Sequence, residues 1–249
     1  MEERIVAMVR DFKAKVARMG VSAVGQLKLP ERKPEMPVIT DKIRASKLGD
    51  CPVDIVLYMN GRVPRFDQAT LKAFSEGTAI HRLFQKLEES RFDSIENYFE
   101  TEHLTGHVDG IVGDSIVEIK SAAASRMPTA DTIDKRYLYQ VGAYFELTGL
   151  SRAYFIFINK RDLQDVRVFL FLRTPEISEM VKEKIELVMH LNEKFRSGLL
   201  TVEEMERVAH LDRCAFCGMK GECAVVEKRF SAKVDELENF LLGNGGPSL

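Results

Sequence analysis

The 249-residue sequence has no tryptophan, only four cysteines, and no run approaching the ~20 consecutive apolar residues that a membrane-spanning helix needs. A membrane partner is therefore not expected. The opening Met1-Glu2-Glu3-Arg4 is acidic and leads into an amphipathic stretch, unlike the basic-then-apolar plan of a secretory signal, so the expected compartment is the cytoplasm. In that reducing setting four cysteines are metal ligands or free thiols more readily than two disulfides. The formal net charge of −2 excludes a protein coated in positive charge, while leaving room for a local basic groove. No internal repeat or low-complexity tract is present. What remains is the composition of an ordinary globular chain, long enough to bury one substantial core with an appendage.

Apolar residues at helical spacing (Ile5, Met8, Val9, Phe12, Val16, Met19) predict an amphipathic helix over residues 4–19. Pro30 to Pro37 reads as an extended linker, so residues 1–40 are expected to form a helical arm tied on by a loop. A second helix is predicted over 66–90, with Leu71, Phe74, Ile80, Leu83, Phe84 and Leu87 on its buried side. Two Val/Ile-rich strands follow at 107–112 and 115–120, turned by Gly113-Asp114. Next come a helix over 131–147 ended by Gly149, strands Ala153–Ile158 and Val166–Leu172, a long helix from Pro175 to about Arg196, and a short one over 202–209. A charged helix over about 227–242 and a disordered tail over 243–249 close the chain. This order predicts an α/β fold on a mixed sheet flanked by helices.

The chemistry concentrates in the middle. Residues two apart in a strand share a face, so Glu118 and Lys120 project together while Val117 and Ile119 point into the core. Asp109, on the preceding strand of the hairpin, can be brought opposite them. Converging carboxylates call for a hard divalent cation, and oxygen ligands suit Mg²⁺ or Mn²⁺. Such a centre activates water and offsets charge on a phosphoryl group, with the lysine orienting the attacking water. Gly106 and Gly110 flank Asp109 and would allow backbone or ligand to approach closely. His81 lies on the preceding helix, and Gln140 and Tyr144 share one face of the next. Arg126, Lys135, Arg136, Lys160 and Arg161 are candidates for phosphate contact, and Tyr137, Tyr139 and Phe74 for base stacking.

The cysteines form a separate constellation. Cys51 stands alone before Pro52, whereas Cys214, Cys217 and Cys223 fall within ten residues. Four thiolates suit either a [4Fe–4S] cluster or structural zinc. Free buried cysteines poorly explain three so close together. A metal centre here would be structural, its binding energy becoming folding energy.

Taken in order, Gly77-x3-His81, Gly106-x2-Asp109, Glu118-Ile119-Lys120 and Gln140-x3-Tyr144 resemble the RecB-like branch of the PD-(D/E)XK nuclease superfamily. Ser46-x-Leu48-x2-Cys51-Pro52, with Tyr58, and Cys214-x2-Cys217-x5-Cys223 resemble its iron–sulfur members. These include the CRISPR-associated RecB-like exonucleases, their viral and phage counterparts, and the much longer AddB-type helicase-nucleases. The resemblance covers residues 44–225 and implies a nuclease domain over 41–226, leaving 227–249 as a C-terminal helix and tail. It implies metal ligation by His81, Asp109 and Glu118, catalysis by Lys120 with support from Gln140 and Tyr144, and a [4Fe–4S] cluster on Cys51, Cys214, Cys217 and Cys223 joining the two ends of the domain. The implied activity is a metal-dependent DNA exonuclease acting chiefly on single-stranded ends, with protein partners in recombination or CRISPR adaptation. The alternative is a non-catalytic DNA-binding or adaptor module that keeps the nuclease fold.

Overall fold

The computed structural model describes residues 2–31, 36, 38–229 and 231. They divide into two compact units, one drawn from residues 2–31, 42–49 and 66–185, the other from 36, 38–41, 50–65, 186–229 and 231. In chain order the helices and strands are α1 (Glu2–Arg18), β1 (Ile43–Arg44), α2 (Pro52–Met59), α3 (Gln68–Glu88), β2 (Ser94–Glu100), β3 (Leu104–Val112), β4 (Ser115–Ala122), α4 (Lys135–Thr148), β5 (Arg152–Asn159), β6 (Asp162–Leu172), α5 (Pro175–Arg196) and α6 (Val202–Val208). Among the described residues no helix is long and apolar enough to cross a membrane.

The first unit is a mixed α/β layer structure. Its sheet runs β1-β3-β4-β5-β6, with β2 also paired to β3. β1 runs parallel to β3 and β4 parallel to β5, while β2–β3, β3–β4 and β5–β6 are antiparallel. One sheet face, carrying Val112, Val117, Ile119, Tyr154, Ile156 and Ile158, packs on Ile5, Met8, Phe12 and Val16 of α1 and on Ala79, Ile80 and Phe84 of α3. Alternation along β4 turns Glu118 and Lys120 to the opposite face, where α4 meets them.

Residues 1–40 were expected to begin with an arm. Instead α1 supplies four buried side chains to this core, each contributing about 1.5–3 kcal/mol by leaving water. Charged contacts fasten it as well: Arg4 to Asp93 at 2.8 Å, Lys15 to the fully buried Glu88 at 2.9 Å, and Arg91 to Asp11. The linker expected at 30–37 falls partly, and the helix and tail expected at 227–249 mostly, outside the described residues.

Two departures from the predicted elements have local causes. The gap between the strands expected at 153–158 and 166–172 shrinks to residues 160 and 161, because β5 extends to Asn159 and β6 begins at Asp162. The helix expected over 131–147 begins only at Lys135, where the Asp134 side chain accepts the Arg136 N–H; it ends at Gly149, whose φ of +72° closes the last turn.

In the second unit Val53, Leu57 and Tyr58 of α2 pack with Met205, Met219 and Val225, and with Cys51, Cys217 and Cys223 at their margin. Front and rear segments of the chain are thus joined by apolar packing.

Candidate active site

The site arises where two strands stop pairing. β3 and β4 are hydrogen-bonded only from Gly110↔Val117 to Val112↔Ser115, next to the tight turn. One step further along lie Asp109 and Glu118, which the ladder no longer joins. At that opening the Asp109 Oδ2 accepts the Ile119 main-chain N–H at 2.7 Å, a side chain taking a rung that backbone would otherwise fill. His81 Nδ1, reaching from α3, is 3.5 Å from the same oxygen.

Beside it is a closed triangle of bonds. Lys120 Nζ donates to Glu118 Oε1 at 2.6 Å and to Gln140 Oε1 at 2.9 Å, while Gln140 Nε2 donates to Glu118 Oε1 at 2.8 Å. Gln140 Nε2 also lies 2.8 Å from the Tyr144 hydroxyl, which in turn donates to the His107 carbonyl at 3.0 Å. The four-residue spacing on α4 places Gln140 and Tyr144 one above the other, so a single helix face braces both β3 and β4. The six residues singled out by the motif pattern (His81, Asp109, Glu118, Lys120, Gln140 and Tyr144) are brought together here.

Electrostatically the carboxylates differ. Burial pushes Glu118 up to about 7, assisted by the nearby Asp109 charge and only partly offset by Lys120. Burial also acts on Asp109, but its hydrogen bond with His81 and the charges of His81 and Lys120 outweigh it and hold the carboxyl below its ordinary value. For Lys120 burial is overcome by Glu118 and Asp109, which hold the ammonium protonated. Burial, reinforced by Glu118, raises the Tyr144 hydroxyl well above its usual range, so it stays a donor.

One atom is left over. Glu118 Oε2 is buried and has no hydrogen-bond partner. An orphaned carboxylate oxygen is costly unless a cation meets it. Asp109 and His81 are close enough for their charges to act on Glu118, and carboxylate oxygens are the donors that hard divalent cations take. Among the described residues no group of three or more His, Cys, Asp or Glu side chains is arranged as a ready metal shell, at this site or at the cysteines.

The glycines beside Asp109 serve packing. A Cβ on Gly110 would collide with the Phe92 ring, and one on Gly106 would come within 3.0 Å of the Ala45 Cβ. Close approach by backbone or ligand was expected there; at Gly110 it is the Phe92 ring and the Ser94 carbonyl that approach.

The residues expected to contact DNA differ in their surroundings. Arg136 pairs with Asp134 at 2.9 Å, and Lys160 Nζ is bound to the Ala73 carbonyl at 2.6 Å. Arg126, Lys135 and Arg161 are exposed. Of the stacking candidates, Tyr137 packs edge-on against Phe155 and Phe157 and lies 5.4 Å from Lys120 Nζ, making it a wall of the site. Tyr139 lies 5.5 Å from Lys184 Nζ, and Phe74 packs edge-on against Phe66 with 37% of its surface exposed.

Two residues of the site escaped sequence reasoning. Gln85 Nε2 donates to the Asp109 carbonyl at 3.0 Å and to Glu96 Oε1 at 2.8 Å. Its position four residues after His81, on the same helix face, was the available signal. Nothing in the sequence marks Glu96.

In the second unit all four cysteines are free thiols and half-buried. Burial pushes Cys217 up to about 11, and Cys214 upward, with Cys51 and Cys223 adding to both shifts. Cys217 Sγ accepts the Met219 N–H at 3.4 Å.

No family model matches the chain, and no curated protein does so closely. Among solved structures it is similar to LHK-Exo, an alkaline exonuclease from Laribacter hongkongensis, with a TM-score of 0.48 and 15% identity over 64% of this chain and 91% of that one. LHK-Exo has also been solved in complex with dAMP. A phage-related exonuclease from Haemophilus somnus is similar at a TM-score of 0.42 and 14% identity, over 64% of this chain and 96% of that one. SSO0001 is similar at 0.47 and 12%, over 88% and 96% respectively.

Proposed function

We propose that this chain is a divalent-metal-dependent deoxyribonuclease that hydrolyses phosphodiester bonds at DNA ends, chiefly single-stranded ones. The observation that carries this reading is the unpartnered, buried Glu118 Oε2 beside Asp109 and a protonated Lys120. A carboxylate pair at a strand opening, with an ammonium two residues on, serves phosphoryl chemistry better than packing. An apolar residue at 118 would fill the same space without the cost of burying charge.

His81, Asp109 and Glu118 would hold Mg²⁺ or Mn²⁺, which when bound supplies Lewis acidity and an acidified water. The chain's own groups do the rest. Lys120, held 2.6 Å from Glu118, orients water and offsets charge on the phosphate. Gln140 fixes Glu118 and Lys120 to one another, and Tyr144 anchors Gln140 to β3. Tyr137 walls the lysine from bulk water. The preference for single-stranded ends, and the placing of the enzyme in recombination or CRISPR adaptation, rest on the motif resemblance.

The cysteines are read as a structural [4Fe–4S] clasp on Cys51, Cys214, Cys217 and Cys223. Support comes from their sharing one unit, where Cys51 and Cys223 disfavour the thiolates of Cys214 and Cys217 until a cation compensates. Iron and sulfide analysis of anaerobically purified protein separates the cluster from zinc.

The activity is tested with linear end-labelled and circular single-stranded DNA, each with Mn²⁺ or EDTA. The reading expects nucleotides from the linear substrate with Mn²⁺ only. Intact DNA in every lane would favour the adaptor module.

A further inference from the structure

β2 and β3 pair in one unbroken antiparallel register from Ser94↔Ile111 to Glu100↔Thr105, except that one rung is skipped: Glu96 opposite Asp109. Glu96 is also the one non-glycine residue with positive φ, +54°, among those described. L side chains rarely adopt that conformation, and glycine adopts it freely. A side chain kept there needs surroundings that hold it. Its carboxylate accepts the Gln85 Nε2–H at 2.8 Å, and the same amide nitrogen donates to the Asp109 carbonyl at 3.0 Å. Gln85 is buried and lies one helical turn beyond His81. Helix α3 therefore grips Asp109 twice, His81 at the carboxylate and Gln85 at the main chain.

We propose that Gln85 and Glu96 are positioning residues of the metal site. The left-handed turn at Glu96 opens the rung opposite Asp109. The Gln85 amide, aimed by the Glu96 carboxylate, then fixes the Asp109 main chain and with it the direction of the Asp109 carboxylate. This inference rests on the reading of Asp109 as a metal ligand. It assigns a use to a strained acidic residue on an exposed strand, where glycine would sit without strain. It also makes stability and metal binding move in opposite directions at residue 96.

The experiment uses the full chain and measures Mn²⁺ affinity, by the electron-paramagnetic signal of free Mn²⁺, together with Tm. Glu96→Gly relieves the backbone; we expect its Tm to rise while Mn²⁺ affinity falls about tenfold, as when the outer support of a metal ligand is removed. Gln85→Met keeps the volume and loses the amide, and the expected affinity loss is similar. Glu96→Gln, whose amide oxygen still accepts from Gln85, should bind like wild type. Wild-type affinity in both Glu96→Gly and Gln85→Met would overturn the inference, as would Glu96→Gln binding as weakly as Glu96→Gly. If Gln85→Met fails to fold, the residue 96 pair decides alone. A wild-type chain that binds Mn²⁺ but leaves DNA intact would sink the nuclease reading and leave this inference standing; one that binds no Mn²⁺ overturns both.

Discussion

Asp109 and Ile119 are joined side chain to main chain, Oδ2 accepting the N–H at 2.7 Å, at the point where β3 and β4 cease to pair. The strand opening that creates the site and the carboxylate that would serve it are therefore one structural event. Two substitutions separate the roles. Asp109→Asn keeps an acceptor for Ile119 and loses the charge, so it should abolish DNA degradation with little change in Tm. Asp109→Ala should do both, costing about 1–3 kcal/mol for the stranded N–H. Thermal melts beside a nuclease assay distinguish them; equal Tm for both variants would contradict the bond's structural role.

The buried Glu118 gives the metal-free protein a pH dependence. Its carboxyl is raised from 4.5 to about 7. A carboxyl with a raised folded pKa favours folding most below its unfolded value, and the advantage is lost as pH rises through the folded value. Metal-free wild type should lose stability between about pH 4.5 and 7 on this account, and Glu118→Gln should flatten that slope. Denaturant melts in EDTA across the range check it. A slope unchanged in Glu118→Gln would rule this source out.

Much of this centre can be read from spacing alone, because two simple periods place its members. Period two in a strand puts Glu118 with Lys120, and four residues in a helix put Gln140 with Tyr144. Depth is another matter. Sequence does not say that β4 is covered on both faces, so the burial that raises Glu118 emerges only from packing with α4. Helix α2 (Pro52–Met59) was missed because it is apolar nearly all round and shows no stripe. Strand β2 (SIENYFE) was not placed because its apolar residues barely alternate. Glu96 was invisible because left-handed backbone is expected of glycine, and asparagine only sometimes.

Helix α1 belongs to the core of its unit. Phe12 is fully buried and meets Phe84 with ring centroids 4.9 Å apart. Phe12→Ala should cost about 3–5 kcal/mol. Deleting residues 1–20 should leave a chain that does not fold, where a free arm could be cut away without loss. Circular dichroism of the truncated protein decides between these outcomes.

Cys217→Ser, in the second unit, is expected to lose bound iron and sulfide and lower Tm. The Mn²⁺ affinity of its folded fraction should match wild type, since none of the proposed Mn²⁺ ligands lies in that unit. Metal analysis, melting and Mn²⁺ titration of one preparation test this. Unchanged iron content and Tm would remove the cysteine clasp.

The central claim is that Lys120 acts on phosphate beside a metal held by Asp109 and Glu118. Wild type and Lys120→Ala should therefore be compared under single turnover on end-labelled single-stranded DNA with saturating Mn²⁺. The account predicts a fall of about 10²-fold or more in rate for the variant, with Mn²⁺ still bound. Degradation at the wild-type rate by Lys120→Ala would contradict it.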